Sequence, residues 1–286
     1  MQEILEALQD TAIDTIKLLP FLFITYLIME YIEHKTSNKV KDVIKKSGKF
    51  GPLLGAIVGI FPQCGFSVSA TNLYAGRVIT LGTLISVYLA TSDEMLPILL
   101  TEAVPAGTIF TILGIKLVLG IVAGFIIDFV VRMFRKEKVE EQEEKIEEIC
   151  EHEHCHCEEE IVTSAIKHTL NITIFIFFIT LVLNGIIAYI GEDTIAHFIS
   201  KNVILGPIVA GLIGLIPNCA SSVILTELFI SNVISMPVLI SGVAVNAGVG
   251  LLVLFKTNKN VKENIKIVGI LYLIGVLAGI ILELFL

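Results

Sequence analysis

The sequence predicts an all-α integral membrane protein of about ten transmembrane or re-entrant segments, arranged as two inverted five-segment repeats. Three observations carry that prediction. The chain is 55% hydrophobic, with a mean hydropathy of +0.85 over 286 residues, too apolar for a soluble fold of this length. It contains itself twice at a gapless offset of 155: Gly51-Pro52 returns as Gly206-Pro207, Pro62-Gln63-Cys64 as Pro217-Asn218-Cys219, and Leu84-Ile85-Ser86 as Leu239-Ile240-Ser241. Residues 51–86 hold 14 identities in 36 aligned positions, so one unit has been duplicated. Lysines, finally, are distributed unequally between equivalent loops of the two copies.

The apolar runs fall near 12–32, 50–76, 78–91, 95–106 and 108–131, with mates near 166–189, 205–231, 233–246, 248–255 and 267–286. In each repeat the first, second and fifth are long enough for a hydrocarbon core of ~30 Å, which needs about 20 residues. The third and fourth are too short, and read as short helices or as arms of re-entrant hairpins shielded by the bundle. The first run follows an acidic stretch (Glu3, Glu6, Asp10) with no small-residue cleavage site after it, so it reads as a retained helix.

The lysines argue for inversion. Loop 33–49 holds Lys35, Lys39, Lys41, Lys45, Lys46 and Lys49, whereas its mate, 188–204, holds only Lys201. Conversely 256–266 carries Lys256, Lys259, Lys262 and Lys266 against none in 101–111. Basic loops are retained on the cytoplasmic side, so equivalent loops face opposite sides. This expectation puts both termini outside, the basic loops and linker in the cytoplasm, and the protein in the cytoplasmic membrane.

The units divide into repeat one (1–135), an acidic linker (136–162) and repeat two (163–286). Residues 136–160 hold three Lys and twelve Glu, so the net charge of -8 belongs to the linker. Nucleic-acid binding has no support, since the lysines are scattered without interleaved aromatics, and no nucleotide-binding loop is present. The composition therefore implies a lipid bilayer as partner, no enzyme activity and no required cofactor.

Segment two is ~40 Å long as a straight helix, with Pro62 near its middle, so a break is expected there. Proline suits the first turn of a new helix, and Pro62 and Pro217 are expected to open half-helices whose N–H groups point to the membrane centre. Cys64 and Cys219 lie in those first turns, with Gln63 and Asn218 before them and Ser67 and Ser222 three residues later. A helix N-terminus favours the thiolate, and thiolates favour soft or borderline metals. Buried cysteine is often only a small packing residue, but recurrence of Pro-polar-Cys-x-x-Ser in both repeats favours a shared two-thiolate site.

Ionisable residues at membrane depth are further candidates. Asp93 and Glu94 mark the junction of the short segments in repeat one, where repeat two has Gly248 and Val249, and Asn246 matches Thr91. Asp93 is a cation ligand or coupling acid if the junction is buried, and a loop residue otherwise. Glu102 stands in an apolar run and joins the candidate set. Lys116, too deep to snorkel, is expected to pair with Asp93 or Glu102. Asp128 and Glu283, mates at segment ends, are expected at the interface in water. In the linker, Cys150, His152, His154, Cys155, His156 and Cys157 place six thiol or imidazole ligands in eight residues, a density suited to a weak, exchanging transition-metal site.

The duplicated unit, the Pro-Gln-Cys-Gly and Pro-Asn-Cys-Ala motifs, the Thr-Ser-Asp-Glu junction and the His/Cys-rich linker together resemble the ten-transmembrane heavy-metal exporter family, variously labelled arsenic efflux protein or manganese transporter. The resemblance implies efflux of a metal ion or metalloid across the cytoplasmic membrane. Manganese prefers oxygen and nitrogen ligands, so arsenite or a soft divalent ion suits two cysteines better. Two other classes stay open: a thiol-disulfide electron carrier using Cys64 and Cys219, and a small-anion permease using the helix N-termini.

Overall fold

The computed structural model describes residues 50–62, 64–134, 161–190 and 204–285, together with part of 12–27. These residues are helical, with no strand among them. Repeat one supplies α1 (Gly51–Gly59), α2 (Cys64–Ala75), α3 (Leu81–Ala90), α4 (Met95–Thr101) and α5 (Ala106–Phe134). After α6 (Ile161–Ile190), repeat two supplies α7 (Leu205–Gly214), α8 (Cys219–Ile230), α9 (Met236–Val245), α10 (Gly250–Thr257) and α11 (Val261–Phe285). The starts of α2, α3, α4 and α5 recur 155 residues later as those of α8, α9, α10 and α11.

Local chemistry recurs with the same offset. Thr80 caps α3 by accepting from Thr83 N, and its mate Ser235 caps α9 by accepting from Val238 N. The turns after α2 and α8 close alike: Val78 N donates to Leu73 O and Val233 N to Leu228 O, at 2.8 and 2.9 Å. Each turn holds one left-handed residue, Arg77 (φ 58°) and Asn232 (φ 56°). Ser86 Oγ donates to Pro52 O, and Ser241 Oγ to Pro207 O.

Segment two is broken near Pro62 as the sequence predicts, but its two halves do not continue in one direction as a spanning segment would. Gly51 lies against Thr83, Gly55 against Thr83 and Val87, and Gly59 against Val87 and Ala90, so α1 runs parallel to α3. Were α2 to continue in that direction, Ala75 would end ~40 Å from the start of α3. The six steps to Leu81 reach at most about 22 Å, and they form a closed turn. Hence α2 folds back antiparallel to α3, and its Thr71 hydroxyl meets that of Tyr88 on α3 at 2.5 Å. The break after Gly59 is the tip of a helical hairpin whose arms are α1 and α2. Repeat two matches it: Gly214 at the end of α7 lies against Gly242 and Asn246 of α9.

The third and fourth segments are the two halves of one broken traverse. Helix α5 is antiparallel to α3, since Gly124 lies against Gly82 and Ser86, and Gly120 against Ser86 and Ala90. From there α5 extends 14 residues further, ~21 Å, to its N-terminus at Ala106, which α4 must reach. Met95 and Leu99 of α4 accordingly share a buried cluster with Ile109 and Ile112 of α5. Among the described residues, four segments are long and apolar enough to cross a membrane: Leu81–Thr101, Ala106–Met133, Met236–Thr257 and Val261–Phe285. The broken spans are 72% and 89% buried, against 33% and 28% for α5 and α11, so they form the centre and the unbroken helices the rim. The rim carries exposed Phe110, Phe129, Leu273 and Leu284, an apolar surface matched to lipid.

Candidate functional site at the helix breaks

The first break, 91–94, is a buried junction: Thr91, Ser92 and Asp93 are each at most 3% exposed. Asp93 is therefore not a loop residue in water. Its φ is +24°, and its mate Gly248 also has positive φ, 52°. Lys116 falls opposite this break, one turn beyond Gly120 on α5. It is fully buried, its Nζ donates to Val243 O at 2.6 Å, and the Asp93 carboxylate lies within electrostatic reach. Val243 is in the last turn of α9, where a helix leaves carbonyls without helical donors. Lys116 thus ties the break of one repeat to the break of the other.

The second break, 246–249, carries a polar network. Asn246 Nδ2 donates to Ser221 Oγ at 3.0 Å, while its Oδ1 accepts from Gly248 N at 2.7 Å. Ser221 Oγ donates back to Asn218 O at 2.8 Å. Asn218 is the N-cap of α8, its side chain accepting from Ala220 N at 3.2 Å. Pro217 consequently stands just outside the helix rather than in its first turn, because the Asn side chain supplies the cap.

Repeat one closes on this break from the other side. Ser67 presses against Gly250, the first residue of α10. The Thr71 and Tyr88 hydroxyls both reach Gly250 O, at 3.2 and 3.3 Å. Cys219, 4% exposed, shares a cluster with Val68 of α2, Val249 and Val253, and Ile172 and Ile176 of α6. Ser222 is buried too, with its hydroxyl turned back onto Cys219 O at 2.8 Å. Ser67, Cys219 and Asn218 therefore gather around 246–250, and Asp93 with Lys116 stands at the α9 side of that break. Gln63, the Cys64 side chain and the linker residues Cys150, His152, His154, Cys155, His156 and Cys157 lie outside the described residues.

Two acids depart from expectation, Glu102 and Asp128. Glu102 is exposed at the α4–α5 turn, at the far end of α4 from Asp93, because it caps that helix; it cannot share a site with the break or pair with Lys116. Asp128 is buried, not solvated, and accepts from Gly82 N at 2.8 Å and Thr80 Oγ1 at 2.7 Å, fastening the start of α3 to α5. Its mate Glu283 accepts from Ser235 Oγ at 2.7 Å on an exposed edge.

Sequence reasoning missed Ser221 and Tyr88, whose only signal is a polar group on an apolar helix. It also missed a bridge between the repeats: Arg77 donates to both oxygens of Glu263, at 2.9 and 3.2 Å, and Tyr74 donates to the same carboxylate. Donating to the Glu263 carboxylate raises the Arg77 pKa above its usual value, so the guanidinium stays charged. The mates of Arg77, Tyr74 and Glu263 are Asn232, Phe229 and Thr108, so repeat symmetry supplies no second copy.

A duplicated, all-helical chain with multiple spans and discontinuous helices meeting at depth defines a multi-pass membrane protein of transporter type. The chain belongs to the family described as "Putative, 10TM heavy-metal exporter", which it matches over residues 2–187. No curated protein and no solved structure matches it.

Proposed function

We propose that this protein exports a soft or borderline heavy-metal cation, or arsenite, through a site where the repeats meet at the 246–250 break. The observation that carries this reading is the convergence there of Ser67, Thr71 and Tyr88 from repeat one with Cys219, Ser221 and Asn246 from repeat two. Transporter sites built at discontinuous helices use such backbone and side-chain ligands. Cys219 supplies a thiolate, Cys64 its partner from the equivalent hairpin, and Asp93 a fixed negative charge. The anion-permease reading is less favoured, because Asn218 already occupies an N–H at the start of α8.

Inversion of the repeats is part of the proposal. With a first helix, a hairpin that returns to its own side, a broken span and an unbroken span, each repeat crosses three times, and an odd number inverts the second copy. The Arg77–Glu263 bridge supports this, since it joins the α2–α3 turn to the start of α11. Parallel repeats would place those two on opposite sides. With the lysines inside, the termini are outside and the linker is cytoplasmic, where its cysteines and histidines capture metal before export.

The test is Cd²⁺ transport by the full chain in proteoliposomes. Cys219→Ser should lower the rate at least about tenfold, as loss of one ligand of a two-ligand site does, and Cys64→Ser added to it should change little more. Undiminished Cd²⁺ transport by the double variant would exclude the thiolate site.

A further inference from the structure

We propose that Lys116 is a tethered cation that competes with the transported cation for Asp93, so that the metal enters the site by displacing the protein's own ammonium group. The inference rests on the reading of the breaks as the transport site, and adds the residue that controls occupancy there.

The geometry supplies each requirement. Lys116 sits near the middle of α5 and is fully buried, a position from which it cannot reach water at either membrane face. A charge so placed needs a counter-charge, and among the described residues Asp93 supplies one within electrostatic reach. Its Nζ donates to Val243 O, a carbonyl at the C-terminal end of the α9 half-helix, where the helix dipole also favours a cation. A cation is thereby stabilised between two broken helices by a carboxylate and a backbone carbonyl, both hard oxygen ligands of the kind that hold metal ions. Lys116 occupies the place of such an ion, on a flexible side chain that can withdraw.

The pair occurs once. The mates of Asp93 and Lys116 are Gly248 and the fully buried Leu271. Packing at that level of the bundle therefore does not require a lysine, since repeat two fills the equivalent place with an apolar side chain. A residue kept only for packing would follow the Leu271 pattern; a charge pair confined to one repeat, at the break of a central span, fits control of a site used once per molecule.

The experiment measures KM for Cd²⁺ in proteoliposomes containing the full chain. Lys116→Met, close in length and uncharged, removes the competitor, so KM should fall by about 5- to 150-fold, the span of ordinary coupling energies. Lys116→Arg keeps the charge and should keep KM within about threefold of wild type on the same scale. Asp93→Asn should raise KM, and Lys116→Met added to it should produce no further fall, because the competition has lost its object. Loss of packing alone would lower kcat or yield without lowering KM. An unchanged or raised KM in monodisperse Lys116→Met and Lys116→Gln overturns the proposal, and so does an unchanged KM in Asp93→Asn should neither lysine variant fold. Cys219→Ser run in parallel separates the two readings: if it loses transport while Lys116→Met leaves KM unchanged, the metal site stands and the competition falls. If Cys219→Ser is fully active while Lys116→Met lowers KM, the competition stands without the thiolate.

Discussion

Gly214→Ala tests whether the hairpin of repeat two is held by direct backbone contact. A Cβ at this position would lie 2.1 Å from Gly242 O and 3.3 Å from Asn246 N. The nearest obstacle is main chain, which cannot rotate away, so relief requires moving α7 off α9 by about 1 Å to regain normal separation. Overpacking of this kind costs about 1–3 kcal/mol, and a fixed backbone obstacle puts it at the upper end. Replacing a helical glycine returns about 1 kcal/mol. The net, about 2 kcal/mol, lowers the melting midpoint of the purified protein by about 4–8 °C if it unfolds in one step. Gly114→Ala and Gly269→Ala are the controls, because nothing lies within 4 Å of a Cβ at either position and both should be neutral or slightly stabilising. Circular dichroism at the helix band reads the midpoint, and Cd²⁺ transport reads the site, which should suffer with it because Asn246 is part of the 246–249 network. A Gly214→Ala protein that melts with the controls and transports normally would refute the close approach of α7 and α9.

Two further predictions concern the scaffold. Asp128→Asn puts an amide where Gly82 N and Thr80 Oγ1 both donate, so it should destabilise by about 1.5–3 kcal/mol, with Glu283→Gln on its exposed edge costing much less; equal losses in thermal melts would contradict the buried clamp. For topology, Lys41→Cys and Asn260→Cys in a cysteine-free chain should resist an impermeant thiol reagent added to intact cells while Asp193→Cys reacts, and equal labelling of 41 and 193 would refute inversion.

The sequence made the duplication and the breaks legible, because both are written in residues that have one main use: Gly-Pro and Pro-polar-Cys in matched places, with ionisable residues interrupting apolar runs. It did not reveal which break bends the chain back. Hydropathy measures length and apolarity, and the direction taken after Gly59 is decided by glycines touching α3, a contact with no one-dimensional signature. For the same reason Asp93 was open between water and the core until the buried junction placed it, and Glu102 looked equivalent to it while standing at an exposed turn. Asp128 was misjudged because its partners, Thr80 and Gly82, are 48 and 46 residues away in sequence. Lys116 was the reverse case, where a lone charge in a long apolar run needed a partner and one of the two acids considered was within reach.

Asp93 occupies a left-handed backbone position that repeat two fills with glycine. Aspartate tolerates that region better than most side chains, yet such a conformation still costs of order 1 kcal/mol. Glycine at 93 would relieve that strain but leave the buried Lys116 without its counter-charge, a loss of about 3–5 kcal/mol, so the two breaks do not become alike by a single change. The strained backbone at 93 and the buried ammonium at 116 are therefore one unit, each costly without the other. The practical corollary is that a sturdier chain for growing crystals needs both positions changed together, Asp93→Gly with Lys116→Leu, the residues that repeat two carries at 248 and 271.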